Sequence, residues 1–249
     1  RPERVSDYQQ VEDIIRQAFY NLYTPGCTEH YLAHAIRPHP DFLPELDLVL
    51  ELDGRVVGNI MYTKSTLVDE AGKEKGILTF GPVCIRPGLQ RRGYGRLLME
   101  ESFRRASAMG YEAIVIFGDP NNYVGRGFQS CKKHRVHLED GTYPAAMLVK
   151  ELEPGTLAGK SWIYRQSPAL CALTKRKPAG LTTACRPWRK SACPVRRPLR
   201  FSAAPSFCDR SAHVFFTGNI LVCIDRVNDY RYNSTENPWW PSLGRNAPA

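Results

Sequence analysis

The sequence has no C-x-x-C pair and no long apolar run. Its eight cysteines, at 27, 84, 131, 171, 185, 193, 208 and 223, follow no paired spacing. That argues against a disulfide framework and for reduced thiols in a cytoplasmic setting. No stretch approaches the roughly 18 apolar residues of a membrane span. No basic-then-apolar leader opens the chain either, so no membrane partner is expected. The chain begins at Arg1 rather than at a methionine. A natural start upstream, and with it a first strand that is only partly represented, is therefore expected. No internal repeat is evident.

What is present is an ordinary globular composition: 249 residues, 43% apolar and 24% charged. The net charge of +9 is unevenly placed. Residues 1–174 balance 21 Lys and Arg against 21 Asp and Glu, while residues 175–249 hold 13 against 4. The whole excess therefore belongs to the last third, and the region before it is neutral.

Along the neutral region, Ser6 followed by DYQQVEDIIRQAFYNLY predicts a capped amphipathic helix, with Val11, Ile14, Ile15, Ala18 and Phe19 on one face. Thr24-Pro25-Gly26 breaks it, and Thr28 precedes a short second helix, EHYLAHAI. LDLVLEL, Asp53-Gly54 and RVVGNIMYTKSTLV read as a hairpin. ILTFGPVCI reads as a third, buried strand, followed by a glycine loop and a helix that Gly110 ends. YEAIVIFG then returns to the sheet as a parallel strand. A short helix is expected within 121–126, and two closing strands from Phe128 to Lys150. The fold class is α/β, a mixed central sheet flanked by helices over residues 1–165, with a poorly structured tail over 166–249.

Residues 88–98, GLQRRGYGRLL, lie between the buried strand and the helix. Glycines let the backbone turn tightly and approach a ligand. The first helical N–H groups lack intrahelical acceptors and sit at the positive end of the helix dipole. Together these features suit a diphosphate. No Lys-Ser/Thr pair follows the second glycine, as a P-loop requires, and the Rossmann third glycine is missing. A plain glycine-containing helix start is the competing reading of the loop.

Gln90-Arg-Arg-Gly-Tyr-Gly95 resembles the Q/R-x-x-G-x-G/A signature of the GNAT N-acetyltransferase superfamily. FGPVCIRP before it is similar to that family's L-G-P-V-x-V-x-P strand, and GDPNNYVGRGF to the G-x-P-x-Y-Y-x-R-F-G-F segment of one branch. The resemblance covers about residues 4–165 and implies the GNAT fold. It also implies acetyl-CoA as co-substrate and direct acetyl transfer to a primary amine on a small molecule or a protein. By the same resemblance, the backbone of Arg91, Arg92, Gly93, Tyr94, Gly95 and Arg96 binds the pyrophosphate, and Gln90 shapes the turn. Val83, Cys84 and Ile85 pair with the pantetheine arm. Tyr123 takes the general-acid position, protonating a thiolate of pKa near ~8.5; a packed aromatic under the sheet is the other reading of this residue. Asn122 and Arg126 depart from the branch pattern.

The amine must be neutral to attack, and the family has no fixed base. Glu29, His30 and His34 on the second helix are the candidates, Glu29 foremost, and ordinary helix-surface polar residues are the alternative. Cys84 reads as a small buried strand residue rather than a nucleophile. Cys131, His134 and His137 do not suggest a metal site, because strand neighbours three apart face opposite sides, and no metal is expected. A monomer or homodimer is expected.

Two other functions stay open beside the transferase: a non-catalytic acyl-CoA sensor, and nucleic-acid binding through the basic tail, although nucleic acid is not an expected partner. For the tail itself an out-of-frame translation is favoured. Codons for RKPAGLTTACRPWRK can be chosen so that the adjacent frame reads EEARRFDD, which is similar to the helix that follows in the resembling branch.

Overall fold

The computed structural model describes residues 1–22 and 26–171. Of the tail expected over 166–249, residues 166–171 are described; its basic part, with the nucleic-acid and out-of-frame readings, lies beyond Cys171 and outside the described residues. The elements are α1 (Tyr8–Phe19), α2 (Glu29–Ile36), β1 (Leu48–Leu52), β2 (Arg55–Asp69), β3 (Glu74–Ile85) and α3 (Tyr94–Ala108). They continue with β4 (Ala113–Phe117), α4 (Pro120–Tyr123), β5 (Gln129–Ser130), β6 (Val136–His137), β7 (Met147–Glu151) and β8 (Trp162–Arg165).

In α1 the five apolar residues expected on one face are all buried. Asp7, not Ser6, is its N-cap residue, and the Asp7 carboxylate accepts the Arg4 N–H at 2.8 Å. The β1–β2 turn places both Asp53 (φ 50°) and Gly54 (φ 72°) in the left-handed region, as a two-residue hairpin of the primed type requires.

The strands form one mixed sheet in the order β5-β7-β4-β3-β2-β8-β6, with β1 also on β2. The β3–β4 and β6–β8 pairs are parallel and the rest antiparallel. The second edge of β2 is shared by β1 near its start and β8 near its end. Residues 41–43 fill the gap: Phe42 bridges Thr63, and Lys64 N–H donates to Asp41 O at 2.8 Å.

Each face of the sheet carries its own core. Tyr62, Leu78, Phe80 and Val83 pack beneath Leu98, Met99 and Phe103 of α3, together with Tyr123 and Phe128. The opposite face holds two apolar patches. One lies under α1 and α2, around Ile15, Leu32, Met61 and Cys84. The other gathers Leu67, Ile77, Val115, Phe117, Trp162 and Tyr164. Between the two patches runs a seam of buried hydroxyls on Thr63, Ser65 and Thr79.

The closing region differs from the expectation. Residues 128–150 do not form two full strands. A 3-10 turn at Cys131–His134 interrupts them, capped by Ser130 and ended by Arg135 at φ 53°. Residues three apart share a side on such a turn, so the strand-alternation argument about Cys131 and His134 does not apply. The His134 ring instead meets Gln129 Oε1 at 3.1 Å and Glu151 at 3.7 Å. Among the described residues no group of three or more such side chains is placed to hold a metal ion.

Packing also runs past the expected boundary at Arg165. Ala169 and Leu170 are buried in the α1–α2 patch, and Ser167 Oγ donates to Asp41 Oδ2 at 2.6 Å.

Candidate active site: a wedge between two parallel strands

β3 and β4 are joined by one register pair, Leu78 with Ile114. Beyond it β3 runs seven residues further to Ile85, β4 runs three to Phe117, and no further register pair joins them. On its other edge β3 stays paired with β2 as far as Ile85. The two parallel strands therefore open as a wedge, and β3 leads out of it into the glycine loop and α3. Val83, Cys84 and Ile85 form the β3 arm, with side chains alternating between the two faces.

The loop's geometry follows from its residue types. Gly88 and Gly93 adopt φ 89° and 86°, and a Cβ added at either would meet nothing within 4 Å. They are glycines for their backbone angle rather than for space. Arg91 shares the left-handed region at φ 63°, a conformation that costs a non-glycine residue about 1–2 kcal/mol. Gln90 Nε2 donates to Ile85 O at 3.1 Å and ties the turn to the end of β3. Gly93 is the N-cap residue of α3; its carbonyl accepts from Leu97 N–H at 3.0 Å, and no side chain caps the helix. The N–H groups of Tyr94, Gly95 and Arg96 have no acceptor within the helix, and Arg91, Arg92 and Arg96 are exposed. The loop and the start of α3 thus lie where β3 leads out of the wedge.

Tyr123 is fully buried, with its ring 6.0 Å from Phe80 and 5.6 Å from Phe128. Phe80 lies two residues past the last β3–β4 pair, so Tyr123 flanks the start of the wedge on the α3 face. Gly118 makes room for it, since a Cβ there would fall 2.6 Å from Tyr123 Cε2.

The three residues proposed on α2 are not gathered around Tyr123. The Glu29 carboxylate accepts the Thr28 N–H at 3.0 Å and the Cys27 thiol at 3.2 Å. Burial pushes that thiol up to about 12, so it is a neutral donor. His30 is half-buried with Nδ1 shielded, and burial followed by the Arg16 charge lowers its pKa. His34 is exposed and lies 3.3 Å from Glu12. Both histidines thus face α1.

A group that sequence reasoning missed stands on the other side of the wedge. Tyr164 OH lies 2.7 Å from Thr79 Oγ1, which lies 3.0 Å from Ser65 Oγ. The signal was the alternation in WIYR, where Trp162 and Tyr164 point inward together.

Residues 8–129 match the profile of the acetyltransferase (GNAT) family. The chain carries a GNAT acetyltransferase domain. Enzymes of this family use acetyl-CoA, and the wedge with its uncapped helix start fits such a co-substrate. The chain is 26% identical over 160 residues to YhbS of Escherichia coli, named an uncharacterized N-acetyltransferase; that match covers 64% of this chain and 90% of YhbS. It is also 26% identical over 108 residues to YjhQ of Escherichia coli K12, similarly named. There the match covers 43% of this chain and spans only 56% of the length of YjhQ.

Solved structures are similar in fold. YhbS in complex with CoA superposes with a TM-score of 0.60 at 23% identity, covering 69% of this chain and 90% of that one. A GNAT acetyltransferase from Brucella melitensis in complex with acetyl-CoA gives 0.51 at 23% identity, covering 68% and 95%. Among the described residues no helix is long and apolar enough to cross a membrane.

Proposed function

We propose that this protein is an acetyl-CoA-dependent N-acetyltransferase that moves acetyl directly to a primary amine. The observation that carries the reading is the wedge: a parallel strand pair that separates after one register pair and points at an uncapped helix N-terminus. Bound there, acetyl-CoA would supply an activated thioester. The N–H groups from Arg91 to Arg96 would hold its pyrophosphate. The backbone of Val83, Cys84 and Ile85 would run along its pantetheine arm and polarise the acetyl carbonyl.

As the amine nitrogen bonds to the carbonyl carbon, the carbon–sulfur bond breaks and sulfur departs as a thiolate. Tyr123 is the group assigned to protonate it, and its aromatic surroundings keep competing water away. Glu29 is the base assigned on α2. Its carboxylate serves Thr28 and Cys27 at rest, so that role requires those bonds to be exchanged for the amine.

The test is a thiol-release assay with acetyl-CoA over amino acids, polyamines, aminoglycosides and peptide N-termini, using the full chain. Amine-dependent release is expected, with kcat reduced on the order of 10²-fold in Tyr123→Phe. Unaltered release by that variant overturns the acid assignment. Absence of both release and coenzyme A binding overturns the transferase reading.

A further inference from the structure

The two faces of the wedge differ in what a polar acceptor would meet. On the α3 face the wall is aromatic: Phe80, Phe103, Tyr123 and Phe128. On the opposite face Thr79, the first β3 residue beyond the last pair with β4, lies between the two apolar patches. Its hydroxyl joins Ser65 Oγ on one side and Tyr164 OH on the other. All three residues are at most 5% exposed.

Tyr164 reaches this position because β8 pairs with β2 with Tyr164 opposite Leu67, which puts its ring on the same face as Ser65 and Thr79. It spans both arms of the wedge, with its hydroxyl on Thr79 of β3 and its ring 6.0 Å from Phe117 of β4.

Resting on the transferase reading, we propose that the hydroxyl line Tyr164–Thr79–Ser65 receives the acceptor's reacting nitrogen, with Tyr164 as the residue that meets it. A nitrogen attacking a thioester held in the plane of the wedge approaches from one of its faces. A face of aromatic rings would strip the amine of hydrogen bonds and leave its N–H groups unmet. The hydroxyl face replaces them. In each of the two contacts either oxygen can be the donor, so the line reverses as a unit. It can accept an N–H from the incoming amine, and it can donate to the carbonyl of the amide product. The line contains no charged group, so it receives the nitrogen as a neutral amine rather than as an ammonium, which would require a carboxylate in so dry a place.

The test uses the full chain and two probes that need no knowledge of the acceptor. One is coenzyme A. The other is coenzyme A carrying S-CH2-CO-NH-CH3, whose amide nitrogen occupies the place of the attacking amine. Wild type is expected to bind the amide probe at least tenfold more tightly than coenzyme A. Tyr164→Phe should lose about tenfold of that preference while its affinity for coenzyme A stays within twofold. Thr79→Val, acting through Tyr164, should lose less in the same direction. Retained preference in Tyr164→Phe, or an equal loss for both probes, overturns the inference and leaves the transferase reading standing. The inference alone also falls if wild type binds coenzyme A without preferring the amide probe. Failure of wild type to bind coenzyme A removes both.

Discussion

On the α3 side of the wedge, Phe80, Phe103, Tyr123 and Phe128 pack ring against ring, with centroids 5.6–6.2 Å apart. On the opposite side Thr79 sits in a file of hydroxyls at the seam between two apolar patches. An aromatic wall is rigid and dry; it fixes one tyrosine and solvates nothing else. A hydroxyl seam solvates a neutral guest but supplies no charge. In the proposed reaction this division assigns sulfur departure to the first face and nitrogen arrival to the second. The proton that the thiolate needs and the proton that the amine sheds are then handled on opposite sides of the sheet.

The division breaks most severely at Gly118. A methyl there would overlap the Tyr123 ring at 2.6 Å, so Gly118→Ala must displace the tyrosine. Overpacking of this kind costs about 1–3 kcal/mol. The expected outcome is a lower melting temperature, with kcat falling as far as in Tyr123→Phe, on the order of 10²-fold. Coenzyme A affinity should hold, because the helix start proposed to receive the pyrophosphate is untouched. Calorimetry and the thiol-release assay on one preparation check both halves.

A smaller effect is expected at Gly93, which has open space around it and φ 86°. Gly93→Ala meets no clash, only the left-handed penalty of about 1–2 kcal/mol. If the loop N–H groups shift as the backbone relieves that strain, coenzyme A binding weakens by roughly tenfold. The amide-probe preference should survive, since neither face of the wedge changes. Titration with both probes separates the two effects.

The same contrast governs what was legible in the sequence. The glycine loop is local. The glycine positions, Gln90 and the strand-loop-helix order sit within a dozen residues, each with its own conformational signature, so they are readable without a partner. The hairpin at Asp53-Gly54 and the α1 stripe were readable for the same reason. The hydroxyl line is not local: Ser65, Thr79 and Tyr164 come from three strands. Tyr164 lies 85 residues from Thr79, and only the register of β8 on β2 brings it there. Nothing in WIYR says which strand it will join. The 3-10 turn at Cys131–His134 was missed for a related reason. Strand propensity there is overruled by a Ser130 cap and by Arg135 in the left-handed region, neither of which announces itself in composition.

The smallest effect on turnover is expected from a test of stability, which separates the acceptor half from its supports. Asp47 is buried where β1 begins and accepts from Asn59 Nδ2 at 2.8 Å. Burial, and then the adjoining Glu3 carboxyl, hold its pKa far above the usual carboxylate range, at about 9. Its folded pKa exceeds the unfolded value of ~3.9. Between those values the folded protein therefore keeps a proton that the unfolded chain has released. The stabilisation is complete below the unfolded pKa and is lost as pH rises toward the folded one, with a slope of at most about 1.4 kcal/mol per pH unit. Asp47→Asn places a permanent neutral donor beside Glu3, which Arg37 already pairs at 2.8 Å. From pH 5 to pH 8 wild type should lose melting temperature progressively relative to the variant, the difference between the two reporting Asp47 alone. Turnover at fixed pH should change by less than twofold. If turnover instead follows the loss of this carboxyl, the acceptor half draws its proton chemistry from Asp47, and the neutral hydroxyl line is not what receives the amine.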